Sequence, residues 1–129
     1  MERRVAIVTG GGKGLGARYA KALSQNGYRV VVADIDQKAV DATVQEIKAA
    51  GQEAMGVQVD VADWQSVEKM ANEVFNAYKR IDVLVNNAGI SQQKLFTEID
   101  TDEWQKMFGV HVDGTFYCCK AVLPDMICR

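Results

Sequence analysis

Four short runs rich in β-branched residues, at positions 4–9, 28–33, about 53–59 and 81–85, alternate along this sequence with helix-length amphipathic stretches. That alternation narrows the fold more than any other feature, because parallel strands need a crossover of about a dozen residues or more and a helix supplies it. The pattern predicts an α/β chain ordered βαβαβαβα. The second run is nearly all valine without polar alternation, as expected of a strand covered on both faces. Stop and start signals divide the helices: Asn26-Gly27 closes the first, Gly51 the second after about 37–50, and Asp63 caps a third running to about Lys79. A last helix is predicted from Asp100-Thr101 past Cys118, with Pro124 limiting its C-terminal part.

With 129 residues, 48% of them hydrophobic and 25% charged, and a formal net charge of −2, the chain has the composition of a single globular domain spanning 1–129. No apolar run reaches the roughly 18 residues of a membrane span. Without a basic excess or a block of like charges, neither a nucleic-acid nor a lipid surface is expected. Residues 1–5, Met-Glu-Arg-Arg-Val, pass straight from two arginines into a strand-like run without an apolar secretion segment, so a cytoplasmic location is expected. Cys118, Cys119 and Cys128 crowd the last dozen residues, an odd number that offers neither a disulfide framework nor a paired metal site; they read as reduced thiols, and no metal is expected.

Chemistry concentrates where the first run meets its helix: Thr9-Gly10-Gly11-Gly12-Lys13-Gly14-Leu15-Gly16. Glycines there permit a tight turn, let the backbone approach a pyrophosphate and bring helix against strand, while the helix N-terminus offers free N–H groups to phosphates. A merely flexible loop is the plainer account. A P-loop is excluded, since Lys13 precedes Gly14 where that motif needs Ser or Thr. Asp34 ends the second run, where a carboxylate can accept hydrogen bonds from ribose hydroxyls; it could instead cap the next helix beside Asp36. Asp60 and Asn87 follow the third and fourth runs, at the carboxyl edge where open α/β sheets bind ligands. Both could equally serve turns, Asp60 opening one that Asp63 completes and Asn86-Asn87 satisfying backbone in a sharp loop.

Taken in order, TGGGKGLG, Asp34, Asp60-Val61 and Asn86-Asn87-Ala88-Gly89 resemble the short-chain dehydrogenase/reductase family, over nearly the whole chain. Within it the sequence is similar to 3-oxoacyl-acyl-carrier-protein reductases and NAD-linked polyol or sugar alcohol dehydrogenases. The resemblance implies a Rossmann-type doubly wound parallel sheet and a dinucleotide cofactor. Gly10, Lys13, Gly14, Leu15 and Gly16 would cradle its pyrophosphate side. Asp34 and Ile35 would meet the adenosine ribose, Asp60 and Val61 the adenine, and Asn87, Ala88 and Gly89 the ribose region. Asp34 favours NAD, because a 2′-phosphate would sit against its carboxylate; Lys13 offsets that charge in part, leaving NADP as the alternative.

The same resemblance implies catalysis by a Tyr and a Lys four residues apart with an upstream Ser, all beyond the fourth βα unit. Four residues after Tyr19, Tyr28, Tyr78 and Tyr117 stand Leu23, Val32, Asp82 and Ala121, so no catalytic residue is assigned. Tyr117 and Lys120 imitate the pair without its spacing. The expectation is a dinucleotide-binding half that retains the cofactor site and is inactive as an isolated chain. In the strand order 3-2-1-4-5-6 the fourth strand would then be an exposed edge. The last helix carries Trp104, Met107, Phe108, Val110, Phe116, Val122 and Leu123, more apolar side chains than one face needs. Self-association or a complementing chain is therefore expected, and a non-catalytic interaction or regulatory subunit is the alternative function. His111 stands where the family commonly carries an Asn that holds a relay water; the favoured reading of its position is a ring packed on the helix face beside Met107 and Cys118.

Overall fold

A computed structural model describes residues 3–128; the Met1-Glu2 part of the N-terminal reading, and Arg129, lie outside the described residues. Strands β1 (Val5–Thr9), β2 (Arg29–Asp34), β3 (Ala54–Gln58) and β4 (Val83–Val85) form one sheet in the order β3-β2-β1-β4, every pair parallel. Helices α1 (Gly14–Gln25), α2 (Gln37–Ala49) and α3 (Trp64–Tyr78) make the first three crossovers, and α4 (Thr101–Phe108) and α5 (Gly114–Cys128) follow β4. This is the α/β arrangement that the alternating sequence pattern predicts and the Rossmann-type sheet that the family resemblance implies. β4 is an edge, with no strand beyond it among the described residues.

The valine runs explain the layering. Successive strand residues point to opposite faces, so Val5, Ile7, Val31 and Ala33 pack with α3 (Val67, Met70, Val74) and α5 (Cys118, Val122). Val8, Val30 and Val32 pack on the other face with Ala20 of α1 and Val40, Val44 and Ile47 of α2. Burying each such side chain contributes about 1.5–3 kcal/mol, and a strand enclosed on both sides has no place for a polar alternate. Aspartates start three helices: Asp36 accepts from the N–H of Lys38 and Ala39, Asp63 from Gln65 and Asp100 from Glu103. Each cap stabilises by about 1 kcal/mol.

The last helix departs from its sequence reading in two ways. Between α4 and α5 the chain widens into a π-helical turn, Gly109–Asp113, where the predicted element is an unbroken α-helix. Pro124 lies inside α5, which continues to Cys128. A proline removes one i to i−4 bond, but the turn beyond it is held from outside the helix: Asp125 Oδ2 accepts the Ile81 N–H at 2.9 Å. Burial of Cys118 and Val122 secures the turn before it. Cys118 is enclosed enough that burial, with the neighbouring Cys119 adding to it, pushes its thiol up to about 11.

Helix–sheet closeness is tightest at Gly56, where a Cβ would come within 2.5 Å of Val40 Cγ1 and 3.2 Å of Val44 Cγ2. Gly56→Ala is therefore expected to lower unfolding free energy by about 1–3 kcal/mol as α2 is pushed off the sheet, measured as a fall in the urea midpoint at unchanged m-value.

Candidate functional site

The turn after β1 rests on backbone conformations that side chains disfavour. Gly10 has φ +63° and Gly14 φ +52°. A Cβ on Gly10 would also lie 2.9 Å from Ala88 Cα, and one on Gly16 only 2.0 Å from the Gly10 carbonyl oxygen. Glycine is therefore required at position 16 by space, and at position 14, where nothing lies within 4 Å, by conformation. The loop after β4 grips this turn. Thr9 Oγ1 accepts the N–H groups of Asn87 and Ala88, both at 3.1 Å, and the Asn87 amide donates to the Gly10 carbonyl at 3.2 Å.

Together these segments open a cleft of about 520 Å³ at the carboxyl edge of the sheet. Gly10, Lys13 and Gly14 line it, with Asp34 and Ile35 from the end of β2, Asp60 and Val61 beyond β3, and Asn87, Ala88 and Gly89 beyond β4. Leu15 and Gly16, grouped with these by sequence, do not line it. Gly16 is buried beneath the Gly10 turn as a packing position, and Leu15 points from the first turn of α1 with 60% of its surface exposed. Asp36, Val59, Ala62, Ile90, Lys106 and Val110 join the lining, none of them assigned to a cofactor site from sequence. Of these, Lys106 and Val110 stand at helical i, i+4 spacing.

Geometry answers the capping and turn alternatives for the aspartates. Asp34 does not cap α2; Asp36 does. Asp34 accepts the Gly12 N–H at 3.1 Å with Oδ2 and the Asp36 N–H at 3.2 Å with Oδ1, which ties the glycine turn to the end of β2. Asp60 both lines the cleft and builds a turn, its Oδ1 accepting the Ala62 N–H at 3.0 Å and its backbone carbonyl the Asp63 N–H at 3.1 Å. Asn87 likewise lines the cleft while satisfying backbone. At the N-terminus of α1 no side chain caps the helix, and the N-cap residue is Lys13 in extended conformation. Those first N–H groups, with the positive end of the helix, suit an anion. Lys13 Nζ meets Asp36 Oδ2 at 2.7 Å. The hydrogen bond to Asp36 raises the Lys13 pKa, and the same bond, with the Ala39 N–H, lowers that of Asp36.

His111 differs from its expected packing. It is exposed, and its Nε2 lies 3.0 Å from the Ile90 nitrogen and 2.8 Å from the Ile90 oxygen, accepting from one or donating to the other according to tautomer. The π-helical turn carries the ring over the loop after β4, where a Cβ on Gly89 would sit 2.7 Å from His111 Cε1. The same loop is clasped further along by Glu103 of α4, which accepts from Lys94 at 2.8 Å and from Gln92; Lys94 first and Gln92 next pull its carboxyl down to about 2. Tyr117 and Lys120 do not line the cleft: Tyr117 packs against Trp64, and the Lys120 ammonium lies 5.1 Å from the Trp64 ring centre.

A family profile described as short chain dehydrogenase matches residues 4–129. The chain belongs to the short-chain dehydrogenase family. It is 39% identical over 126 residues to meso-2,3-butanediol dehydrogenase of Serratia marcescens, covering 98% of this chain and 49% of that protein. It is 41% identical over 125 residues to a 3-oxoacyl-[acyl-carrier-protein] reductase of Synechocystis sp., covering 96% and 51%. Among solved structures, a metagenomic short-chain oxidoreductase in complex with NADP superposes with a TM-score of 0.93 at 33% identity, over 99% of this chain and 58% of that one. A short-chain dehydrogenase/reductase from Burkholderia phymatum in complex with NAD gives the same TM-score and identity, over 97% and 44%. The chain thus spans about half the length of the curated relatives it matches.

The two glycines of the family turn are expected to fail differently. Gly16→Ala should destabilise towards the upper end of about 1–3 kcal/mol, since backbone must move. Gly14→Ala should lose only about 1 kcal/mol to the left-handed conformation, and parallel urea denaturation of the two variants measures the gap.

Proposed function

We propose that this chain binds a nicotinamide dinucleotide, with NAD preferred over NADP, as the cofactor-binding half of a carbonyl or alcohol oxidoreductase. The observation that carries the reading is convergence: the glycine turn, the uncapped start of α1 and the Asp34 carboxylate are tied by hydrogen bonds and face one cleft. Gly10, Lys13 and Gly14 would hold the pyrophosphate side, Asp34 and Ile35 the adenosine ribose, Asp60 and Val61 the adenine, and Asn87, Ala88 and Gly89 the ribose beyond. Leu15 and Gly16 would serve through the backbone of the first helical turn. When bound, the nicotinamide supplies hydride transfer. The relatives' names, a butanediol dehydrogenase and a 3-oxoacyl-[acyl-carrier-protein] reductase, point to hydroxy or oxo compounds as the substrate class.

These 129 residues hold no Tyr with Lys four positions later, and turnover by this chain alone is not expected. Calorimetric titration with NAD and, separately, NADP is the direct test. Saturable one-site binding with NAD the tighter ligand is expected, and Asp34→Ala should narrow the preference; unchanged selectivity in that variant would remove Asp34 from its role.

A second reading, pairing with another chain, is favoured by exposed apolar side chains on α4 and α5. Trp104 and Phe108 stack at 4.9 Å with about half of each exposed, and Phe116, Leu123 and Ile127 are exposed along α5. Exposed apolar side chains and an open sheet edge each suit a partner or a second copy. Concentration-dependent sedimentation that Phe116→Glu weakens is the expected outcome; a concentration-independent monomer would dismiss it.

A further inference from the structure

Two charges of opposite preference meet at this cleft, and a third decides between them. Lys13 is the basic side chain that the glycine segment carries, and a ribose 2′-phosphate, with roughly −1.5 to −2 of charge, is the group it would attract. Its ammonium is already engaged: Asp36 Oδ2 holds Nζ at 2.7 Å. Asp36 is not free to swing away, because its Oδ1 accepts the Lys38 and Ala39 N–H groups at 3.1 and 3.2 Å and so starts α2. Its own N–H donates to Asp34 Oδ1, which links the pair to the carboxylate proposed to meet the ribose. Lys13, Asp34, Ile35 and Asp36 all line the cleft. With Asp36 present, two carboxylates face one ammonium there.

We propose that Asp36 sets the nucleotide preference of the cleft. By holding Lys13 in an ion pair anchored on the helix cap, it withholds that cation from a 2′-phosphate and leaves the local charge negative, so that the dinucleotide without the phosphate binds better. Asp36 is a positioning residue that acts through Lys13, and the inference rests on the dinucleotide reading above. Asp34 alone would disfavour the phosphate by repulsion; Asp36 removes the compensation that Lys13 would otherwise supply.

Asp36→Asn separates charge from structure, since Asn caps a helix about as well as Asp. Dissociation constants for NAD and NADP are to be measured by calorimetry at low ionic strength for the unsubstituted protein, Asp36→Asn, Lys13→Met and the double variant, with circular dichroism confirming equal helix content. The expected result is a fall of about tenfold in the ratio Kd(NADP)/Kd(NAD) for Asp36→Asn, reversed in the double variant to the value of Lys13→Met. Two results would overturn the inference alone: both nucleotides bind and the ratio does not move, or it falls equally with Lys13 removed. If the unsubstituted protein binds neither nucleotide, the dinucleotide reading fails first and Asp36 loses its proposed role with it.

Discussion

The approach of Gly16 to Gly10 is the contact on which the rest of the cleft depends. With no Cβ at position 16, α1 starts directly against the Gly10 carbonyl that opens the turn. That same carbonyl receives the Asn87 amide, and Thr9 Oγ1 just before it receives two backbone N–H groups from the loop after β4. One residue's worth of missing volume thus lets the start of α1 pack on the same turn that the loop after β4, distant in sequence, holds by hydrogen bonds. Thr9 is buried, and its hydroxyl accepts the Ala88 N–H while sharing that of Asn87 with the Val85 carbonyl, so this sharp loop keeps its backbone groups matched.

Around that centre the site has a simple electrostatic plan. Backbone N–H groups and a helix dipole favour an anion at the glycine turn, while Asp34, Asp36 and Asp60 surround the rest of the cleft with acceptors. Lys13 joins the two regions and is drawn to the acidic one. Because these groups are exposed, their mutual attraction is screened by solvent and salt. Their influence lies in which ligand charge the cleft tolerates, and little in holding the fold. The fold is held by the valine-rich strands and the helices that cover both their faces.

Much of this was legible from residue order. The β-branched runs, their helical spacers and the glycine stops specify parallel strands, because each is a local consequence of side-chain shape and backbone freedom. The glycine segment and Asp34 could be assigned to the sheet's carboxyl edge from position alone. Less legible was which aspartate would cap α2, since Asp34 and Asp36 are both competent caps; the end of β2 carries Asp34 into the cleft and leaves Asp36 at the helix start. Lys106 and His111 were harder still. Lys106 lines the cleft from α4, far in sequence from the glycine turn it faces. His111 leaves its expected packing because the π-helical turn rotates it towards Ile90. Pro124 misled for a related reason: a local rule predicts a break, and Asp125 with the buried α5 face outweighs it.

By itself the sequence determined the α/β class, the strand and helix order, the membership that its ordered motifs announce, and most of the residues that line the cleft at the sheet's carboxyl edge. All of these follow from interactions between near neighbours in the chain or from the period of its hydrophobic residues. Only the tertiary structure decided which of those side chains share a cleft, that Gly16 and Leu15 stand outside its lining, and that Lys13 faces Asp36. Those outcomes depend on distances between segments far apart in sequence, set by the packing of helices onto a twisted sheet, which no local pattern encodes.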